Sequence, residues 1–424
     1  MIKFLFKGLL RDKNRSLLPI IVVSLGVFLT VLFHAWITGI LGQSIEFNAK
    51  FSTGHVKVVS NAYYENIDQK PNDLALMNVS DLRADLKKQY PDFVWAERIL
   101  FGGLIDAPDE NGETKAQGPA GGFGIDLLSG NTNEIERMNI TKSLQKGRLP
   151  ENPGEILISD EFFEKLGASI GDPVTLISST MYGGMAFYNF IIAGTVEFGS
   201  TVMDRGSIIA DINDVRQALD MSDATSEILG FDKSGFFDKE RANEVITDFN
   251  RKYNDPEDEF SPLMISLRDQ SSMGLFVDFA GAMGTFISMI FIFAMSLVLW
   301  NAGLLGGLRR YGEFGVRLAI GEEKSHIYKT LVYESVMVGI IGSVIGSVLG
   351  ISLAFYLQNH GIDTSDMMKD ATMMMPTVFK AQVTTASYYL GFIPGVASTT
   401  IGSMLAGIGI YKRKTAQLFK ELES

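Results

Sequence analysis

Four long apolar runs dominate the pattern of hydrophobic and polar positions along the 424-residue chain. About 20 apolar residues suffice for an α-helix to cross the hydrocarbon core of a bilayer, and each run is longer than that. The pattern therefore predicts four membrane spans, which we place at residues 17–41, 279–308, 331–357 and 383–411. The first run exceeds the roughly 7–15 apolar residues of a cleavable signal peptide, so we interpret it as an uncleaved anchor.

The longest polar segment, residues 42–278, alternates between strand-like and helix-like patterns. Runs rich in β-branched and aromatic residues predict strands at 54–60, 93–107, 173–178, 187–196 and 206–211. Amphipathic patterns predict helices at 79–90, 132–138, 160–167, 212–219 and 238–253, with Ser80, Ser159 and Asp211 as N-caps. The predicted fold is a membrane protein of four transmembrane α-helices, with a large α+β domain inserted between helices 1 and 2.

Positive charges lie beside the spans and set the expected orientation. Residues 1–16, 309–330 and 412–424 hold 14 of the 37 Lys and Arg residues, although the whole chain has a net charge of −12. Because cytoplasmic flanks are enriched in Lys and Arg, we expect these segments, and so both termini, in the cytoplasm. Residues 42–278 and the 358–382 loop are then extracytoplasmic. The acidic balance argues against nucleic acid as a partner, and residues 1–16 predict an amphipathic helix on the inner leaflet.

The sequence offers no set of residues for catalysis or metal binding. It contains no Cys, and its four His residues do not pair at the spacing of a metal site. A nucleotide-binding P-loop has the pattern G-x-x-x-x-G-K-[ST], but Lys324 and Ser325 follow Glu323 rather than Gly. We therefore predict no catalytic residue, no metal and no cofactor in this chain. If ATP drives the protein, ATP and Mg²⁺ are bound by a partner ATPase.

A short polar segment between the second and third apolar runs carries a distinctive motif. The segment is GEFGVRLAIGEEKSHIYKTLVYESV (312–336), and a span punctuated by Gly339, Gly342, Gly346 and Gly350 follows it. This arrangement resembles the FtsX-type permease domain, in which an E-x-G-x-x-x-A-x-G core precedes a helix, a Glu and a glycine-punctuated span. The matching residues are Glu313, Gly315, Ala319, Gly321 and Glu334. Segments 123–126, 147–176 and 192–219 resemble the periplasmic core domain of MacB-like and Lol-type permeases.

The resemblance implies the permease subunit of an ABC transporter of the mechanotransmission type in the bacterial inner membrane. Lipoprotein-releasing permeases are the most similar members. The implied partners are an ABC ATPase dimer, a second permease chain that is identical or a paralogue, membrane lipids, and a lipoprotein or other hydrophobic substrate. An FtsX-like transducer that regulates cell-wall hydrolases and a MacB-like efflux permease are open alternatives. A periplasmic partner also stays open, because the 177–187 loop is shorter than the hooked loop of carrier-recruiting permeases.

The resemblance also implies residue roles. The connection 309–330 would be a coupling helix that docks on the ATPase through Glu313, Phe314, Gly315, Arg317, Leu318, Ala319, Ile320 and Gly321. The candidate substrate contacts are large apolar residues near the outer leaflet and in the 177–187 loop: Phe33, Trp36, Phe276, Phe279, Met283, Phe286, Met181, Tyr182 and Met185. Packing within the protein is the alternative for each. The methionines of 367–376 favour adaptable apolar contacts over copper binding, and Glu334 either pairs with a basic residue or reaches the membrane surface.

Overall fold

The computed structural model describes residues 13–109, 111–270, 273–364, 374 and 378–412, with side chains described from Leu17 onward. These residues form two compact units. The helical unit contains the chain up to Gly42, residues Phe279–Ile362, and the chain from Phe379; the inserted domain contains Gln43–Asp278 and Asp363–Val378. The helix predicted at 1–16 and the tail predicted at 412–424 lie almost entirely outside the described residues.

Four helical segments of the described chain are long and apolar enough to cross a membrane, which confirms the predicted architecture. The first three spans lie in α1 (Lys13–Asn48), α10 (Met273–Leu308) and α12 (Lys324–His360). All three helices are longer than the predicted spans, because a helix continues into polar flanks as long as its backbone hydrogen bonds are made. A π-helical turn, Ala49–Thr53, follows α1 directly.

The fourth span is interrupted, unlike the single run that its hydropathy suggests. It consists of a 3₁₀ turn (Thr385–Tyr388), a π-helical turn (Ile393–Ser398) and the helix α13 (Thr399–Lys412). Pro394 lies in the π-helical turn. Because proline has no backbone N–H to donate, a regular α-helix is disrupted there, and a π turn accommodates the break.

Glycines at every fourth position of α12 allow it to pack closely against α1. A Cβ atom on Gly342 would lie 2.7 Å from Val23 Cβ, and one on Gly350 would lie 3.0 Å from Val31 Cβ. Between them, a Cβ atom on Gly346 would lie 2.4 Å from the Ser24 carbonyl oxygen. Small residues at this spacing let two membrane helices approach until their backbones meet. We call this contact the glycine seam.

The inserted domain is built on one ten-stranded sheet. Its strands in the described chain are β1 (Val56–Ser60), β3 (Phe93–Pro108), β4 (Thr114–Ile125), β5 (Leu144–Gly147), β6 (Glu155–Ser159), β7 (Pro173–Ser179), β8 (Met185–Val196), β9 (Ser207–Asp211), β11 (Glu227–Asp232) and β12 (Pro262–Ser266). The strand order is β12-β1-β11-β3-β4-β9-β6-β8-β5, and β7 pairs with β3 and β8. The short strands β2 (Leu76–Met77) and β10 (Ala224–Thr225) pair with each other, while β13 (Ile362–Asp363) and β14 (Val378–Phe379) lie in the loop after α12.

The helices of the inserted domain cover this sheet. They are α2 (Asn61–Glu65), α3 (Val79–Gln89), α4 (Glu134–Arg137), α5 (Ile140–Ser143), α6 (Asp160–Leu166), α7 (Thr201–Asp204), α8 (Ile212–Ala218) and α9 (Lys239–Tyr253). One core contains Leu86 of α3 and Phe249 of α9, packed against Trp95 of β3. Another contains Phe162 of α6 and Val215 of α8. The long strand β3 therefore contributes to both cores.

Every strand and helix that the sequence predicts in this domain is present, but only one of the three predicted caps makes a capping bond. Ser159 lies at the N-cap position of α6, yet its side chain makes no capping hydrogen bond. Asp211 accepts a hydrogen bond from the Asn213 N–H, as expected of an N-cap. Ser80 is not a cap, because α3 already begins at Val79. Instead, the Ser80 N–H and hydroxyl both donate to Asp223 Oδ1, at 3.0 and 2.6 Å. The cap thus comes from a residue distant in sequence, which local pattern analysis does not reveal.

Candidate functional site

The connection between the second and third spans is a short helix with a sharp stop. Helix α11 (Tyr311–Ala319) is followed by Gly321, whose φ of +94° is the left-handed conformation that glycine tolerates. The Gly321 N–H donates to the Leu318 carbonyl at 3.1 Å, and the Glu322 N–H donates to the Arg317 carbonyl at 3.0 Å. This pair of bonds is the Schellman motif, which satisfies the last carbonyls of a helix. The connection is therefore an ordered, capped element.

One face of α11 is fixed to the bundle. Tyr311 and Phe314 are buried in a cluster with Ile327, Leu331 and Ile410. The Tyr311 hydroxyl donates to the Ala406 carbonyl at 2.6 Å. A buried hydroxyl without a partner would be costly, so this bond is part of what holds α11 against the fourth span.

Two groups of ion pairs hold the ends of the connection. Arg310 Nη1 lies 2.7 Å from Glu334 Oε2, and its Nε lies 3.2 Å from Glu313 Oε2. Of the two alternatives for Glu334, the structure therefore shows the ion pair. At the other end, Arg317 binds Glu322 through two parallel hydrogen bonds of 2.6 and 2.5 Å. This arginine, with the neighbouring His326, holds the pKa of Glu322 below its ordinary value.

The remaining face of α11 and the turn after it are uncovered. Val316, Ala319 and Ile320 are exposed, and Ile320 retains 79% of its accessible surface. A large aliphatic residue at the tip of a capped, charge-flanked helix is typical of a surface that a partner covers. We call Val316, Ala319 and Ile320 the exposed tip.

The predicted coupling residues thus divide into two sets. Phe314 and Gly315 are buried and position the helix, so they are not available to a partner. Ala319, Ile320 and Gly321 are exposed, whereas the others are partly covered. The sequence pattern missed Tyr311 and Arg310, although an Arg and a Tyr directly after an apolar span are a recognisable signal for an anchored helix end.

The candidate substrate contacts near the outer ends of the spans fall into a packed set and a more exposed set. The Phe33 ring stacks on Phe291 with centroids 4.1 Å apart, and Trp36 packs against a cluster of three buried alanines. For these two residues, packing within the bundle is the observed contact. Phe279 and Phe286 are exposed on α10, while Phe276 and Met283 are partly covered.

The 177–187 loop is a hairpin between β7 and β8, and its residues do not behave alike. Met181 is buried in the domain core, and its N–H donates to the Leu219 carbonyl at 2.8 Å. Tyr182, Met185 and Phe187 are 74, 73 and 63% exposed. The tip therefore offers an apolar surface, but without Met181. Of the methionines predicted to make contacts at 367–376, only Met374 is described, and it is buried in the inserted domain.

Two family descriptions match the chain in the order in which its parts occur. Residues 16–257 match the MacB-like periplasmic core domain, and residues 285–415 match the FtsX-like permease C-terminal domain. The first match alone covers more than half of the chain. The class of protein is therefore an ABC-transporter permease, a membrane subunit that is normally not itself catalytic. Within that class, the chain belongs to the FtsX/MacB family, which confirms the resemblance found in the sequence.

The periplasmic region of MacB from Actinobacillus actinomycetemcomitans is a solved structure that matches with a TM-score of 0.35 and 10% identity. The match covers 52% of this chain and 91% of that chain. No curated protein matches the sequence.

Proposed function

We propose that this chain couples ATP hydrolysis by a separate ATPase to the extraction or translocation of a lipoprotein or other hydrophobic substrate. The site of action is the outer leaflet of the bacterial inner membrane. Both termini and the connection face the cytoplasm, the ATPase binds ATP and Mg²⁺, and a second permease chain, identical or a paralogue, completes the complex. The inserted domain is the part that moves outside the membrane.

The exposed tip is the observation that carries the proposal. A docking element has to present a defined surface and must not yield when its partner moves. The tip meets both needs, because the Schellman turn and the buried Tyr311 fix the helix while Ile320 stays uncovered. A rigid element of this kind passes a partner's closure to the two spans that it joins.

The low burial of the second span supports a contact with a further permease chain or with substrate. Only 11% of its most apolar window is buried within the chain, compared with 33, 39 and 50% for the first, third and fourth spans. In a bilayer this surface faces lipid, substrate or a second subunit. Phe279 and Phe286 lie on it and are therefore the better placed of the proposed substrate contacts.

Replacement of one exposed residue tests the docking role. We expect Ile320→Arg to abolish co-purification of the ATPase that the unmodified chain brings down from membranes, because a charge replaces the apolar tip. Val202→Arg is the matched control, since Val202 is 85% exposed in the inserted domain. Equal ATPase recovery with both variants, or no ATPase with the unmodified chain, would contradict the proposal.

Photo-crosslinking tests the substrate. A photoreactive residue at position 279 or 286 should capture a lipoprotein during ATP turnover, and the same group at the packed position 33 should not. Capture of a cell-wall hydrolase instead would favour the signal-transducer alternative, and capture of bulk lipid alone would contradict a substrate role for this face.

A further inference from the structure

The end of the first membrane helix is held by a buried arginine of the inserted domain. Helix α1 runs without a break to Asn48 and continues into the π-helical turn Ala49–Thr53. The last carbonyls of a helix lack intrahelical partners and carry partial negative charge. Arg98 Nη2 donates to the Lys50 carbonyl at 2.6 Å, and Arg98 Nη1 donates to the Phe51 carbonyl at 2.7 Å. One guanidinium thus binds two consecutive carbonyls of the turn.

The same guanidinium is fixed from its other side. Arg98 Nε donates to Glu134 Oε2 at 2.7 Å, and the side chains of both residues are fully buried. Glu134 also pairs with Arg137, whose guanidinium lies 4.0 Å from the centroid of the Phe231 ring. The planar fork of arginine serves three acceptors in different directions, which the single ammonium of lysine does not reproduce. The residue is therefore held rigidly between the helix end and the domain.

A second contact joins the same helix end to the sheet. Glu46 Oε1 lies 2.8 Å from His55 Nε2, and both side chains are buried. His55 Nδ1 accepts a hydrogen bond from the Asp232 N–H at 2.9 Å, so in a neutral ring Nε2 carries the proton and donates to Glu46. The backbone of His55 is also bound, since its N–H donates to the Gly230 carbonyl at 2.9 Å.

The chain that leaves the inserted domain is bound to the same turn. Gln270, which precedes the second membrane helix, is buried and donates from Nε2 to the Thr53 carbonyl at 3.0 Å. Hence three side chains, Arg98, His55 and Gln270, bind the segment between Glu46 and Thr53. We call this set of contacts the buried clamp.

We infer that Arg98 is the positioning residue through which the first membrane helix moves the inserted domain. This inference rests on the proposed function, because the movement comes from the ATPase. Charge-assisted bonds in a buried site do not exchange readily with water, so the turn cannot slip against β3. Strand β3 is hydrogen-bonded to β4, β7 and β11, so a displacement of β3 reaches both cores of the domain.

The first experiment measures the clamp itself and needs no ATPase. Amide hydrogen exchange is followed at residues 49–53 in the full-length chain in nanodiscs. We expect Arg98→Met to speed exchange there by at least about tenfold, and Arg98→Lys to have a smaller effect, because each charge-assisted bond contributes roughly a factor of ten. Arg216→Met is the matched control: Arg216 binds the neighbouring Glu97 of β3 but none of residues 46–53. Unchanged exchange in Arg98→Met would overturn the clamp.

The second experiment measures transmission in the assembled complex. The chain contains no Cys, so a single fluorophore can be placed at Val202→Cys on the exposed surface of the inserted domain. With ATPase bound, ATP and vanadate should change the fluorescence in the unmodified and Arg216→Met chains. The Arg98→Met chain should hydrolyse ATP yet lose most of that change. If Arg98→Met does not fold, Arg98→Lys is measured instead.

The outcomes separate the inference from the proposed function. A full fluorescence response in an Arg98 variant that carries bound ATPase would overturn the role of Arg98 alone. Absence of any ATPase from the unmodified chain would overturn the proposed function and the transmission role with it. The exchange experiment would then still decide whether Arg98 holds the end of α1.

Discussion

Arginines hold the membrane helices at two places, the end of α1 and the connection after α10, and their environments differ. At the connection, the Arg310 and Arg317 side chains are about one-quarter exposed and pair with nearby carboxylates. In the buried clamp, Arg98 has no exposed surface and binds backbone carbonyls as well as Glu134. Partly exposed pairs contribute little stability and rearrange at low cost, whereas a buried charge must keep all its partners. The connection is therefore kept rigid by its Schellman turn and by Tyr311 rather than by its arginines, whereas the clamp depends on the arginine itself.

The largest expected effect is on the clamp. Arg98→Met should lower the free energy of unfolding of the inserted domain by about 3–5 kcal/mol, because it removes one of the two cations that pair with the buried Glu134 and leaves the Lys50 and Phe51 carbonyls without this donor. Arg317→Met should cost less than about 1 kcal/mol, because its pair is partly exposed. Urea unfolding followed by Trp95 fluorescence in a Trp36→Phe/Trp300→Phe background measures the first value, because Trp95 lies in the inserted domain. Thermal unfolding of the helical unit in detergent measures the second. Similar losses of unfolding free energy in the two variants would contradict the difference between the clamp and the connection.

The next largest change in stability is expected at the glycine seam, where close packing rather than an ion pair holds the helices. Gly346→Ala should destabilise the helical unit by about 1–3 kcal/mol, because its new Cβ would meet the Ser24 carbonyl oxygen at 2.4 Å. Gly281→Ala on α10 should stabilise by up to about 1 kcal/mol, since no atom of the described residues lies within 4 Å of the added Cβ and alanine favours a helix. Thermal unfolding in detergent should therefore show shifts of opposite sign. Shifts of the same sign would contradict close packing at the seam.

The hydrogen bond that anchors α11 is expected to contribute less stability than the buried clamp or the glycine seam. Tyr311→Phe removes one buried hydrogen bond, to the Ala406 carbonyl, and should cost about 1 kcal/mol. The same thermal unfolding assay measures the loss, and Tyr333→Phe, at an exposed position on α12, is the control. A loss no greater than that of the control would show that the aromatic ring alone holds α11.

The smallest effect depends on pH. The lowered pKa of Glu322 means that its stabilising contribution is complete above its ordinary value of 4.5 and is lost as the pH falls through the lowered one. The destabilisation caused by Glu322→Gln, less than about 1 kcal/mol at pH 7, should therefore shrink as the pH falls below 4.5. Chemical unfolding at pH 7 and pH 4 checks this. In an Arg317→Met background the pH dependence should largely disappear, and its persistence would point to another partner.

The sequence is sufficient to predict the membrane spans and the inserted domain. It is not sufficient to predict the contacts of the buried clamp. Uncharged apolar runs and β-branched patches predict the spans and the inserted domain, because burial and backbone geometry leave a periodic pattern. Ile320 could be placed at the turn between the second and third spans for the same reason. The clamp could not be predicted, since Arg98, Glu134 and Lys50 lie far apart in sequence. The local signal is the charged pair Glu97-Arg98 inside the apolar run at residues 93–105.

The candidate site was predicted in outline and not in detail. Phe314 and Gly315 belong to the motif that identifies the connection, yet they are buried, so the motif marks how the helix is built as well as what it offers to a partner. Met181 and Tyr182 are adjacent in sequence and face opposite environments, because the hairpin turns between them. Only the tertiary structure shows which of these residues are buried and which are exposed.

The glycine seam also orders events in time. Val23, Val27 and Val31 meet glycines that lie about 320 positions later in the chain. At a synthesis rate of about 5–20 residues per second, the first span waits about 15–60 s for its partner helix. The cores around Trp95 and Phe162 use residues made before α12, whereas the core that contains Met374 is completed only after α12. The first membrane helix and this last core of the inserted domain therefore both wait for the C-terminal part of the chain.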